Sequence, residues 1–141
     1  MAFVLDNSVV CGWILESQAT DYSAAIAERL EEERALAPPL LWLELANVLR
    51  TACKRQVMIA SQAQELLAQL SRLPIEIHAS SPEPGLLLAL ALRYELTSYD
   101  AAYLELALRM QLPIATEDAA LAEAARIAGV GVAGMGELNG R

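Results

Sequence analysis

Phe3-Val4-Leu5-Asp6-Asn7-Ser8 opens the chain with a short apolar, β-like run that stops at an acid. Similar short runs recur downstream. Leu36-Ala37 is stopped by Pro38-Pro39. Ile75-Glu76-Ile77 alternates like a strand, Leu112-Pro113-Ile114-Ala115 is brief, and Val130-Gly131-Val132 is the last. Longer helical patterns separate them. These cover Ala24 to Arg34 (Ile26 and Leu30 at helical spacing), Leu40 to Arg55, Ser61 to Leu73, Pro84 to Glu95, Tyr99 to Met110 and Glu117 to Ala128. Pro39 suits a first helical position, Thr97 or Ser98 suits a cap, and Gly129 suits a helix end. Short strands separated by helices imply an α/β fold with a parallel sheet and helices on its faces. In such sheets, sites form beyond the carboxyl ends of the strands, so the residues after each run are where chemistry is expected.

The rest of the composition narrows the class. At 141 residues the expectation is one domain, residues 1–141, large enough to fold without disulfides. Hydrophobic residues make up 55% and mean hydropathy is +0.34, which excludes a disordered chain. Ten basic against eighteen acidic residues give a net charge of −8, which argues against holding nucleic acid by bulk positive charge. Contact with phosphate through bound metal ions stays open. Aromatic residues are 5%, too few for a base-stacking platform. Cys11, Cys53 and the lone His78 have no zinc-ligand spacing, and the two cysteines read as core residues of a reducing compartment. The start lacks a basic targeting region, and Leu86 to Leu92 is too short to span a membrane. A soluble, cytoplasmic protein is expected.

Among the eighteen acids, most are Glu on helical patterns. Glu31-Glu32-Glu33, Glu65, Glu105 and Glu123 read as solvated faces. Only four are Asp, and three of these, Asp6, Asp100 and Asp118, lie at helix starts or strand ends. Glu44 is the sole charge in Leu40-Leu41-Trp42-Leu43-Glu44-Leu45-Ala46. Any one acid in a first helical turn is accounted for by the helix dipole. Convergence of all four would mean more. Carboxylates sharing a pocket repel and raise one another's pKa, and a hard divalent cation removes the conflict. Oxygen-only sites of this kind suit Mg²⁺ or Mn²⁺.

Four stretches together resemble PIN-domain ribonucleases. Phe3-Val4-Leu5-Asp6-Asn7-Ser8 resembles their opening motif. Ala37-Pro38-Pro39-Leu40-Leu41-Trp42-Leu43-Glu44-Leu45-Ala46-Asn47-Val48-Leu49 resembles the second. Leu96-Thr97-Ser98-Tyr99-Asp100-Ala101-Ala102-Tyr103-Leu104-Glu105-Leu106-Ala107 resembles the third, and Leu112 to Asp118 followed by Ala120-Leu121 the fourth. The match is in order and nearly end to end, and it looks closest to the VapC-like toxins of bacterial type II toxin–antitoxin pairs.

The resemblance implies a three-layer α/β/α sandwich with a mostly parallel central sheet, and a metal-dependent endoribonuclease. It assigns Asp6, Glu44, Asp100 and Asp118 to the acidic, metal-binding catalytic set, with Mg²⁺ or Mn²⁺ as cofactor. Ser8, Asn47 and Thr116 match supporting polar positions; Asn47 shares a helix face with Glu44. Some relatives carry a further acid after the fourth, where this chain has Ala119-Ala120. One metal or two is therefore open. Glu117 is expected to point elsewhere, because adjacent helix residues do not share a face.

Partners follow in the same way. RNA is the implied substrate, and Arg50, Lys54 and Arg55 are candidates to grip its phosphates, although cations also favour a helix C-terminus. The resemblance implies a homodimer and a cognate antitoxin that covers the site, inserting an Arg into the acidic pocket. Ile26, Leu30, Trp13 and Trp42 are weighed as an apolar partner groove against a place in the core. A receiver-type phosphoacceptor domain fits worse, since the only Lys, Lys54, lies inside a helical pattern. A haloacid-dehalogenase-like phosphatase would need Asp at position 8, which is Ser. The alternative within the fold is a catalytically inactive scaffold binding RNA or protein.

Overall fold

Strand β1 (Ala2–Leu5) is buried along its whole length, which explains why it reads as an unbroken apolar run. Its residues alternate between two cores. Phe3 and Leu5 join a cluster with Val9, Ile26, Leu30, Leu41 and Leu45, while Ala2 and Val4 join a second with Tyr103, Leu104, Leu121 and Ala125. The period of two sends neighbours to opposite sheet faces, so the helices form two outer layers around a central sheet. The computed structural model describes residues 1–134; the last positions of the expected 1–141 domain lie outside the described residues.

In order, the elements after β1 are α1 (Asn7–Ile14), a 3₁₀ turn (Glu16–Gln18), α2 (Asp21–Arg29), β2 (Arg34–Ala37), α3 (Leu40–Lys54) and α4 (Ala60–Leu70). Then come β3 (Ile75–Ile77), α5 (Pro84–Tyr94), α6 (Ser98–Met110), β4 (Ile114–Ala115) and α7 (Ala119–Ala128). The sheet order is β3-β2-β1-β4 and all pairings are parallel. The chain builds outward from β1 through β2 and β3, then returns to β1's other side with β4. The order thus reverses between β1 and β4. A crevice at such a reversal is the usual place for a ligand site.

Several boundaries differ from the sequence expectations. Helix α1 was not expected, since no helical pattern was read before Ala24; tertiary burial of Val9, Val10 and Cys11 carries it. Helix α2 runs Asp21–Arg29 and not Ala24 to Arg34. Thr20 caps it by accepting from Ser23 N–H at 2.9 Å, Ser23 Oγ reciprocates toward Thr20 N–H at 3.1 Å, and Arg34 already belongs to β2. Gly12 lets α1 and α2 approach: a Cβ there would stand 2.5 Å from Ser23 Oγ. Helix α7 starts at Ala119, leaving Glu117 and Asp118 in extended backbone. The Val130-Gly131-Val132 strand contracts to a single parallel bridge, Ile114 to Val132.

Burial decides the open alternative for four apolar residues and overturns the surface reading of Glu105. Ile26 and Leu30 are core residues and line no partner groove. Trp13 and Trp42 are half-buried against the same core, and Trp13 Nε1–H donates to Ser23 O at 2.6 Å. Glu105 is not on a solvated face: it is buried, with its carboxylate taking Arg109 Nε at 2.9 Å and Nη2 at 3.1 Å. Of the acidic run, Glu31 and Glu32 are exposed, but Glu33 pairs with Arg29 at 2.8 Å. Among the described residues no helix is long and apolar enough to cross a membrane.

Candidate active site

Asp6 ends β1 at the crevice and stands at the N-cap position of α1, yet its side chain caps nothing. Its carboxylate turns instead toward the end of β4. Oδ2 accepts from Ser8 Oγ at 2.7 Å and from Thr116 Oγ1 at 2.7 Å. Both hydroxyls are committed. Ser8 Oγ accepts from Glu117 N–H at 2.8 Å, and Thr116 Oγ1 accepts from Asp118 N–H at 3.0 Å. A hydroxyl has one proton, so each spends it on Asp6. Oδ2 is thereby filled by two donors, and the backbone N–H groups of Asn7 and Ser8 also favour the charged carboxylate. Burial pushes the Asp6 carboxyl above the usual range, and the two hydroxyls pull against that.

Glu44 reaches the crevice from the second turn of α3, which follows β2. Oε1 accepts from Tyr103 Oη at 2.6 Å. Burial raises the Glu44 carboxyl, Tyr103 lowers it, and Asp6 raises it further. Asp100 lies in the first turn of α6, where Thr97 caps by accepting from Asp100 N–H at 3.1 Å. Its carboxyl is pushed up to about 6, first by burial, then by Asp118, Asp6 and Glu44. Asp118 caps α7, with Oδ1 accepting from Leu121 N–H at 2.8 Å. The helix-terminus account therefore holds for one oxygen of Asp118 and fails for Asp6.

These shifts place the four acids within one another's field. None has an Arg or Lys partner among the described residues. Still, no three His, Cys, Asp or Glu side chains among the described residues already surround one point as ligands would. Like charges hold such groups apart; a shared cation is what draws them together. The donor chemistry suits a hard ion, being carboxylate and hydroxyl oxygen throughout. A soft site is disfavoured. Burial, with Asp6 and Glu44 nearby, pushes the Cys11 thiol up to about 11, and Cys11 is bonded to Asn7 Oδ1. His78 is away on β3 against Glu76.

Of the other expected residues, Ser8 and Thr116 enter the cluster directly. Asn47 stands exposed one turn beyond Glu44, outside the hydrogen-bond network of the acids. Arg50, Lys54 and Arg55 are exposed at the far end of α3, and Arg55 is its C-cap. Glu117 does point elsewhere, accepting from Thr20 Oγ1 at 2.8 Å. The cause is that Glu117 lies before α7, not helical spacing. Two residues close to the acids were not singled out by sequence: Asn7 and Tyr103. Their signals were adjacency to Asp6 and an i, i+3 step from Asp100 on one helix face.

The PIN domain profile matches residues 3–127. The chain belongs to the PIN-domain family. PIN domains are in general nucleases that use divalent metals and bind nucleic acid, so this is a nuclease fold. In this PIN domain Asp6 and Asp118 follow the adjacent strands β1 and β4. No curated protein matches the chain.

Proposed function

We propose that this PIN domain is a metal-dependent endoribonuclease, the VapC-like toxin of a toxin–antitoxin pair. The observation that carries the reading is that Asp118, Asp6 and Glu44, from three other segments, each raise the Asp100 carboxyl, while none of the four has an Arg or Lys ion pair among the described residues. Asp6, Glu44, Asp100 and Asp118 would hold Mg²⁺ or Mn²⁺. When bound, the ion supplies charge neutralisation at the scissile phosphate and a more acidic water. Ser8 and Thr116 fix Asp6 by filling Oδ2. Glu44 orients the attacking water. Asn47 stands exposed to an incoming strand, and Arg50, Lys54 and Arg55 meet phosphates roughly 9–16 Å further along α3.

The rest of the reading concerns the molecule's setting. A single domain spans 1–141, pairs as a homodimer in the cytoplasm, and is silenced by an antitoxin whose Arg enters the acidic crevice. Metal-dependent fragments from total bacterial RNA, abolished by chelator and by Asp6→Ala, are the expected result. An intact RNA pool together with absent Mn²⁺ binding would favour the inactive scaffold.

A further inference from the structure

Glu44 is held by neutral donors. The Tyr103 ring is fully buried in the core that contains Val4, Leu36 and Leu104, so its hydroxyl cannot swing away. A phenol carries one proton, and the 2.6 Å contact to Oε1 is the distance of a charge-assisted O–H···O⁻ bond. Asn7 lies near enough to favour the charged form of Glu44. Its Oδ1 takes the Cys11 thiol at 3.4 Å, which leaves the amide NH₂ as the group able to donate. The hydroxyl comes from α6 and the amide from α1, and the carboxylate sits on α3, so helices on both sides of the sheet meet at one side chain. An Arg or Lys would hold Glu44 equally well and cancel its charge. A phenol and an amide hold it with the charge intact.

We propose that Tyr103 is a positioning residue that fixes Glu44 through Oε1, so that the other oxygen faces the crevice and binds a divalent cation, with Asn7 as the second half of the clamp. The inference rests on the metal-site reading above. It goes beyond that reading by assigning ion affinity to two residues that touch no ion.

The test is a double-mutant cycle read by Mn²⁺ calorimetry on the full chain: wild type, Tyr103→Phe, Glu44→Gln and the double variant. Tyr103→Phe keeps the ring, and circular dichroism checks the fold. It is expected to weaken Mn²⁺ binding about tenfold in the wild-type background and not at all in the Glu44→Gln background. Equal loss in both backgrounds, or no loss in either, overturns the clamp. Should Tyr103→Phe not fold, the same cycle with half-buried Asn7 (Asn7→Ala) is expected to show about a threefold loss that again vanishes with Glu44→Gln. Wild-type protein that binds Mn²⁺ but leaves RNA intact overturns the nuclease reading alone, and the cycle still decides the clamp. Wild-type protein that binds no Mn²⁺ overturns both.

Discussion

Thr116 Oγ1 donates to Asp6 Oδ2 at 2.7 Å, joining the carboxyl ends of two adjacent parallel strands across 110 positions of sequence. The same oxygen takes Asp118 N–H, so one hydroxyl aligns two of the acids. Thr116→Val keeps the volume and removes both bonds. It is expected to cost about 2 kcal/mol in urea unfolding at neutral pH, since a buried charged group loses a donor and an N–H loses its acceptor. Thr116→Ser is expected to restore most of it. Equal stability of the Val and Ser variants would show that the hydroxyl does not matter.

Asp100 makes the metal-free protein pH-sensitive. Its folded value, about 6, lies above the ordinary 3.8, so the folded state holds the extra proton between those values. That contribution to stability is fully present below about 3.8 and is lost as pH rises through 6. Asp100→Asn is therefore expected to raise the melting temperature of chelator-treated protein by about 3–5 °C at pH 7.5, a gain of about 1 kcal/mol after solvent screening. At pH 4 the two proteins are expected to melt together. A lower melting temperature for the variant at pH 7.5 would contradict the repulsion among the four acids.

Addition of Mg²⁺ or Mn²⁺ to wild-type protein is expected to reproduce the Asp100→Asn stabilisation at pH 7.5 and to lose its effect at pH 4, where protons replace the ion. Thermal melts with and without chelator check this. A metal-induced shift of equal size at both pH values would place the ion elsewhere.

Gly12 is required by the approach of α1 to α2, since an added methyl would stand 2.5 Å from Ser23 Oγ and 2.7 Å from its Cβ. Ser23 is buried and tied to Thr20, so it cannot retreat. Gly12→Ala is expected to destabilise by about 1–3 kcal/mol despite its better helix propensity. Denaturant midpoints give the answer, and a neutral or stabilising change would mean that the helices separate freely.

The exposed cations at the end of α3 offer a test by salt. Lys54→Glu with Arg55→Glu is expected to weaken RNA binding and to lower the slope of log affinity against log salt by about 1–2. An unchanged slope would leave these residues as helix-terminal charges only.

Much of the fold was legible locally. The runs at Phe3 and Ile114 are strands buried on both sides, the run at Ile75 is a half-exposed edge strand that alternates around exposed Glu76, and Gly129 ends α7 with φ +92°. Helix α1 was not legible, because its eight residues are too few for a helical period to stand out, and burial of Val9, Val10 and Cys11 carries it. Glu105 read as surface because no local rule announces that Arg109, one turn on, folds over a buried carboxylate. Asp6, Glu44, Asp100 and Asp118 were singled out by type and position, but each alone is an ordinary helix-terminal or helix-surface acid.

The sequence by itself determined the alternation of short buried runs with helices, the all-oxygen chemistry of its candidate residues and the order of its motifs. These depend on neighbours within a few positions, where spacing and turn chemistry act. Only the tertiary structure decided that β4 returns beside β1, that Thr116 turns Asp6 away from capping, and that Tyr103 reaches Glu44 from another helix. Such contacts join residues 59 to 110 positions apart. They follow from which strands pair, a choice made by burial of whole faces and written in no single stretch.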